Sequence, residues 1–152
     1  MEDVEPNDRE AMTRRTKPTG AYVGSEDSFQ CSAITAVRAI AASAGVDPRL
    51  CMHIPNGGQR NAIVGAKLKA QGTVAGYPDI MVHHRSAMFD LDVTDAFGQF
   101  YCGLAIELKV WPNKPSEAQE AIHALLRNAG WRVVVCYGLD EVIETTKNYF
   151  GE

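Results

Sequence analysis

The sequence predicts an α/β domain in which helices flank a mixed central β-sheet. Three observations carry that expectation. Short apolar runs alternate with segments of helical period, in the order α-β-α-β-β-α-β-α. Two of those runs, Ile80-Met81-Val82 and Gly103–Leu108, follow each other with no helical segment between them and read as adjacent strands. Finally, 152 residues without an internal repeat or linker are enough for one core and suit one domain.

Residues 1–24 mix charge with Pro6, Pro18, Gly20 and Gly24 and show no periodicity, which predicts a mobile arm ahead of a domain over 25–152. Arg14, Arg15 and Lys17 fit a solvated tail better than phosphate contacts. Ser25 or Ser28 can cap the first helix, where Phe29, Ala33, Ile34, Val37, Ile40, Ala41 and Ala44 recur at helical spacing until Gly45. Glu26 falls in its first turn. There it can complement the helix dipole or reach a metal ion, and the residue pattern leaves both open.

Leu50–Ile54 reads as a short strand, and Pro55-Asn56-Gly57-Gly58 turns the chain. A second helix is expected from about Arg60 to Gln71, with Arg60, Lys67 and Lys69 as a basic side that meets phosphate only if it flanks an acidic site. The loop from Gly72 to Pro78 leads to Asp79. Between the paired strands, Asp90, Asp92 and Asp95 lack the glycine and closing glutamate of an EF-hand loop, so Ser86–Phe100 reads as a hairpin tip or surface insertion. His83 and His84 would face opposite ways on a strand, which makes them poor joint metal ligands.

Trp111–Pro115 forms a stiff turn, and Ser116-x-x-Gln119 is a capping-box signature. Ala121, Ile122, Leu125, Leu126 and Ala129 line one face of the helix that follows, and Gly130 ends it. Trp131–Cys136 reads as a buried strand. The last helix, from about Asp140, buries Leu139, Val142, Ile143, Thr146, Tyr149 and Phe150 at spacings of three and four.

The composition is that of an ordinary water-soluble domain, 45% hydrophobic and 22% charged, with no apolar run of membrane-spanning length. The acidic N-terminus is no signal peptide, so a cytosolic location, or one on the nucleoid, is expected and a membrane is not. Cys31, Cys51, Cys102 and Cys136 form no C-x-x-C pair, and buried reduced thiols are the simplest reading. The net charge of −4 does not exclude a nucleic acid, because the acids cluster at the two ends. Between Cys51 and Leu139, eight Lys+Arg stand against seven Asp+Glu, a balance of +1.

The chemistry concentrates between Gly76 and Lys109. Glu107 and Lys109 alternate with Ile106 and Leu108, so both charges leave one face of the strand and both aliphatics the other. Burying such charges is costly unless they are compensated, and a divalent cation shared with Asp79 would compensate them. Two carboxylates and a lysine on adjacent strands suit metal-assisted phosphodiester hydrolysis: Mg²⁺ takes one or two carboxylates, and Lys109 can orient the attacking water or meet a phosphate oxygen.

Those residues sit within a wider pattern. His53-Ile54-Pro55-Asn56-Gly57-Gly58, Leu68-Lys69-Ala70-Gln71-Gly72 and Ala75-Gly76-Tyr77-Pro78-Asp79 precede Gly103-Leu104-Ala105-Ile106-Glu107-Leu108-Lys109. Lys114-Pro115-Ser116-Glu117-Ala118-Gln119 and Trp131–Gly138 complete it. In this order, over most of residues 25–150, the chain resembles the VRR-NUC (virus-type replication-repair nuclease) domains of the PD-(D/E)xK superfamily, in their small stand-alone phage form.

The resemblance implies a restriction-endonuclease-like core that cleaves DNA with Mg²⁺ or Mn²⁺. It makes Asp79 and Glu107 metal ligands with the Leu108 carbonyl as a third oxygen, and Lys109 the catalytic lysine. Glu26 then becomes an additional acidic metal contact, and Gln119 supports the site or touches DNA. Arg60, Lys67, Lys69 and Lys114 are the corresponding DNA-binding candidates. Relatives of this kind resemble junction resolvases that pair two active sites in a homodimer, which implies branched DNA, four-way junctions or flaps, as substrate. The long connection Val82–Cys102 departs from the compact pattern and bears on substrate preference. A DNA-binding or interaction module that kept the fold without catalysis is the alternative, and a zinc hydrolase built on His53, His83 and His84 a distant third.

Overall fold

The computed structural model describes residues 16–55, 62–86 and 100–152. Helix α1 (Glu26–Ser43) and a short 3-10 turn (Pro48–Leu50) lead into strand β1 (Cys51–His53) and helix α2 (Ala62–Ala70). Strands β2 (Ile80–Val82) and β3 (Gly103–Leu108), helix α3 (Glu117–Asn128), strand β4 (Trp131–Cys136) and helix α4 (Leu139–Phe150) complete the chain. The predicted order of helices and strands is the one found, with the 3-10 turn added.

The strands form one sheet in the order β1-β2-β3-β4. β2 runs antiparallel to both β1 and β3, while β3 and β4 are parallel. Parallel neighbours need a crossover, and α3 supplies it. The sheet is therefore mixed, as expected.

Side-chain alternation then decides which layer each residue joins. Ile80, Val82, Leu104 and Ile106 face a core shared with Phe29, Ala33 and Val37 of α1 and Val142 and Tyr149 of α4. Met81, Ala105 and Val133 face the opposite way, against Leu126 of α3. Glu107 lies in the same phase as Ala105, so its carboxylate falls on the α3 side of the sheet. That phase places the site.

The helix starts follow local chemistry. The Ser25 hydroxyl accepts the Ser28 N–H at 3.2 Å at the head of α1. Ser116 caps α3 in a full capping box with Gln119. Residues 16–24 form no helix or strand, but they are not a free arm: the Tyr22 N–H donates to the Tyr137 carbonyl at 2.7 Å. The Tyr22 ring stacks on Phe29 with centroids 4.5 Å apart, which gives this segment apolar surface to bury. Arg14 and Arg15 lie outside the described residues, as do Arg60, the turn after Pro55, and Asp90, Asp92 and Asp95.

All four cysteines are free thiols, but only Cys51 and Cys136 are buried; Cys31 and Cys102 are exposed, contrary to expectation. Cys31 follows from its place on α1, two positions from both Phe29 and Ala33, which puts it off the buried stripe. Among the described residues no helix is long and apolar enough to cross a membrane.

One long-range tie fixes the end of α4. The buried Tyr149 hydroxyl donates to the His84 carbonyl at 2.6 Å, joining α4 to the segment after β2. Tyr149→Phe leaves that acceptor without its partner, so a loss of about 1–2 kcal/mol is expected in urea unfolding. A loss under a few tenths would show that the bond contributes nothing.

Candidate functional site

The site is built where β2 begins and β3 ends. The pairing of Ile80 with Ile106, extended by one residue, sets Asp79 opposite Glu107. The Asp79 carbonyl accepts the Ile54 N–H at 2.9 Å and lies 2.9 Å from His53 Nδ1, which anchors this backbone to β1. Its side chain turns to β3, where Oδ2 accepts the Leu108 N–H at 2.8 Å. The Lys109 N–H donates to the Cys136 carbonyl on the other neighbour. Successive residues of a strand address opposite sides, so the Leu108 carbonyl leaves the same edge as its N–H, the edge that Asp79 occupies.

Glu107 is 1% exposed. Its Oε1 accepts from Gln119 Nε2 at 2.6 Å and from Lys109 Nζ at 3.0 Å. Its Oε2 has no hydrogen bond. Gln119 acts twice, because its own Oε1 accepts the Ser116 N–H at 2.9 Å. One amide thus caps α3 and holds the carboxylate, which ties the helix start to the site.

Burial, and then the neighbouring Glu107 carboxylate, push the Asp79 carboxyl up to about 6; the Leu108 N–H, Lys109 and His53 act against that rise. Two facing carboxylates with one lysine are short of positive charge. The donor set fits a hard divalent cation: Asp79, Glu107 and the Leu108 carbonyl offer oxygen, and Glu107 Oε2 is buried with an unused lone pair.

Among solved structures, one described as a "VRR_NUC domain protein" matches 86% of this chain and 91% of its own, with a TM-score of 0.60 and 25% identity. The chain has a VRR-NUC-like fold. No protein-family model and no curated protein matches it.

Within this VRR-NUC-like fold, Asp79, Glu107, Leu108, Lys109 and Gln119 come together as the sequence suggests. Glu26 does not join them by hydrogen bond or ion pair. It sits exposed in the first turn of α1, and among the described residues no three His, Cys, Asp or Glu side chains are grouped to hold a metal. Lys67, Lys69 and Lys114 are exposed. Lys67 and Lys69 are two positions apart on α2 and so project about 200° apart, which divides the expected basic side. His83 packs edge-on against Trp131 and His84 leans on Phe150, away from a shared centre with His53.

Two histidines escaped the sequence reading of the main site. His53 is tied to the Asp79 backbone across the β1–β2 pair, a contact that only strand register reveals. His123, 2% exposed, brings Nε2 to 3.5 Å from Glu107 Oε2. A signal for it existed: it follows Gln119 by four residues and therefore lies one turn along the same helix face.

Proposed function

We propose that the protein is a metal-dependent DNA endonuclease that hydrolyses phosphodiester bonds, with Mg²⁺ or Mn²⁺ as cofactor. The observation that carries this reading is the convergence of Asp79, Glu107 and Lys109 at the ends of adjacent strands, with Glu107 Oε2 left unbonded. The nuclease name of the structural neighbour supports it.

Asp79, Glu107 and the Leu108 carbonyl would hold the cation. A cation bound there would supply a water of lowered pKa and offset charge on the phosphate. Lys109 reaches from a partly buried position, its side chain 17% exposed, to orient the attacking water or a phosphate oxygen. Gln119 keeps Glu107 from turning away. Glu26 would be a further acidic contact to the metal, and Lys67, Lys69, Lys114 and Arg60 would meet the backbone phosphates. The preferred substrate is branched DNA, a four-way junction or a flap, cut by a two-fold homodimer whose paired sites match the junction's symmetry. The protein acts in the cytosol or on the nucleoid.

The test is a panel of a four-way junction, a flap, a duplex and a single strand, each with Mg²⁺, Mn²⁺ or EDTA, alongside Lys109→Ala. Metal-dependent symmetric cuts at the junction are expected, with a fall of about a hundredfold or more in the mutant. Cutting confined to flaps or ends keeps the nuclease and removes the paired-site resolvase. Binding without cutting would transfer the protein to the class of DNA-binding modules, and full activity in Lys109→Ala would remove the site assignment.

A further inference from the structure

Two buried polar atoms in this site have no hydrogen bond, and they face each other. Glu107 Oε2 and His123 Nε2 stand 3.5 Å apart on side chains that are 1% and 2% exposed. Leaving a buried polar atom unsatisfied costs about 1–3 kcal/mol. The gap is only a few tenths of an ångström beyond an ordinary N–H···O bond of roughly 2.7–3.2 Å. It closes with a small turn of either side chain.

We propose that His123 is the positioning residue of Glu107: its imidazole, with the proton on Nε2, donates to Oε2 and fixes the plane of the carboxylate. The need for a second grip is physical. The terminal torsion of a glutamate is broad, so a bond to one oxygen does not set where the other points. Gln119 holds Oε1 from the first turn of α3, and His123 holds Oε2 from one turn later on the same face. A carboxylate offers about four lone-pair sites. Gln119 and Lys109 take two on Oε1; His123 takes one on Oε2 and leaves one, directed, for a cation. This inference rests on the proposed role of Glu107 as a metal ligand. Outer partners that orient a ligand in this way typically change metal affinity by roughly 10–100-fold when removed.

The experiment combines nitrogen-15 spectra of the His123 ring with Mn²⁺ calorimetry on the parent, His123→Gln and His123→Ala. In metal-free protein the ring is expected as the Nε2–H form, its signal displaced in Glu107→Gln and its proton kept when Mg²⁺ is added. Glutamine places an N–H close to where Nε2 stands, so His123→Gln should bind Mn²⁺ within about threefold of the parent, while His123→Ala weakens it about 10–100-fold. An Nδ1–H ring, loss of the Nε2 proton on adding Mg²⁺, or parental Mn²⁺ affinity in His123→Ala would each overturn the proposal. The metal-free ring spectra of the parent and Glu107→Gln need no variant of His123 and no ion. They decide the contact even if His123→Ala fails to fold or the parent binds no ion, and the latter result would instead remove the proposed nuclease chemistry.

Discussion

Asp79→Asn is expected to slow cleavage severely and, in EDTA at pH 8, to make the protein more stable than the parent. The Asp79 carboxyl is pushed from its ordinary 3.8 to about 6 by burial and by Glu107, so folding favours its protonated form. The native state therefore holds more protons than the unfolded state between those values. Stability from this group is fully present below about pH 4 and is lost as pH rises through about 6. At pH 8 the charged form is a burden on the order of 3 kcal/mol. Asparagine removes that charge and keeps an oxygen to accept the Leu108 N–H. The gain should fade as pH falls from 6 to 4. Mn²⁺ at about a thousand times its Kd should reverse the order, since it then adds about 4.1 kcal/mol to a protein that binds it. Cleavage should fall by about a hundredfold or more. Unfolding curves at pH 4.5 and 8, with EDTA or Mn²⁺, check all of this; a less stable mutant at pH 8 in EDTA would show that the facing carboxylates carry no strain.

The same residues explain what the sequence could and could not disclose. Alternation in Ile106-Glu107-Leu108-Lys109 puts both charges on one face, and the structure bears this out with Lys109 Nζ on Glu107 Oε1. The capping box at Ser116 and Gln119 was equally legible, because capping depends on a four-residue local pattern. What was hidden is long-range. Nothing in Ser116-x-x-Gln119 says that the amide also reaches Glu107, 12 residues away in sequence. Nor does His123 advertise itself, since a histidine on a buried helix stripe is ordinary until its neighbour across the layer is known. The segment 16–24 misled for the opposite reason: its Gly and Pro content describes a lack of periodicity, whereas its attachment depends on Tyr22 meeting Phe29 and Tyr137.

Gly76→Ala should be the most damaging single-methyl change near the site, and Gly72→Ala supplies the control. Both glycines have positive φ, +89 for Gly76 and +93 for Gly72, so alanine at either bears backbone strain of about 1–2 kcal/mol. Around Gly72 there is open space. At Gly76, however, a Cβ would lie 2.5 Å from the Ala118 carbonyl oxygen and 3.0 Å from the Gln119 nitrogen, both main-chain atoms of the first turn of α3. No rotamer change relieves that overlap, and forced repacking adds about 1–3 kcal/mol. The loop must therefore part from α3, and these two elements carry Asp79 and Gln119, the opposite arms of the site. Gly76→Ala is expected to unfold at clearly lower urea than Gly72→Ala and, where still folded, to cut DNA more slowly because Gln119 is displaced from Glu107. Equal stability losses in the two mutants, with cleavage intact in both, would mean that the close approach of this loop to α3 does not hold the site together.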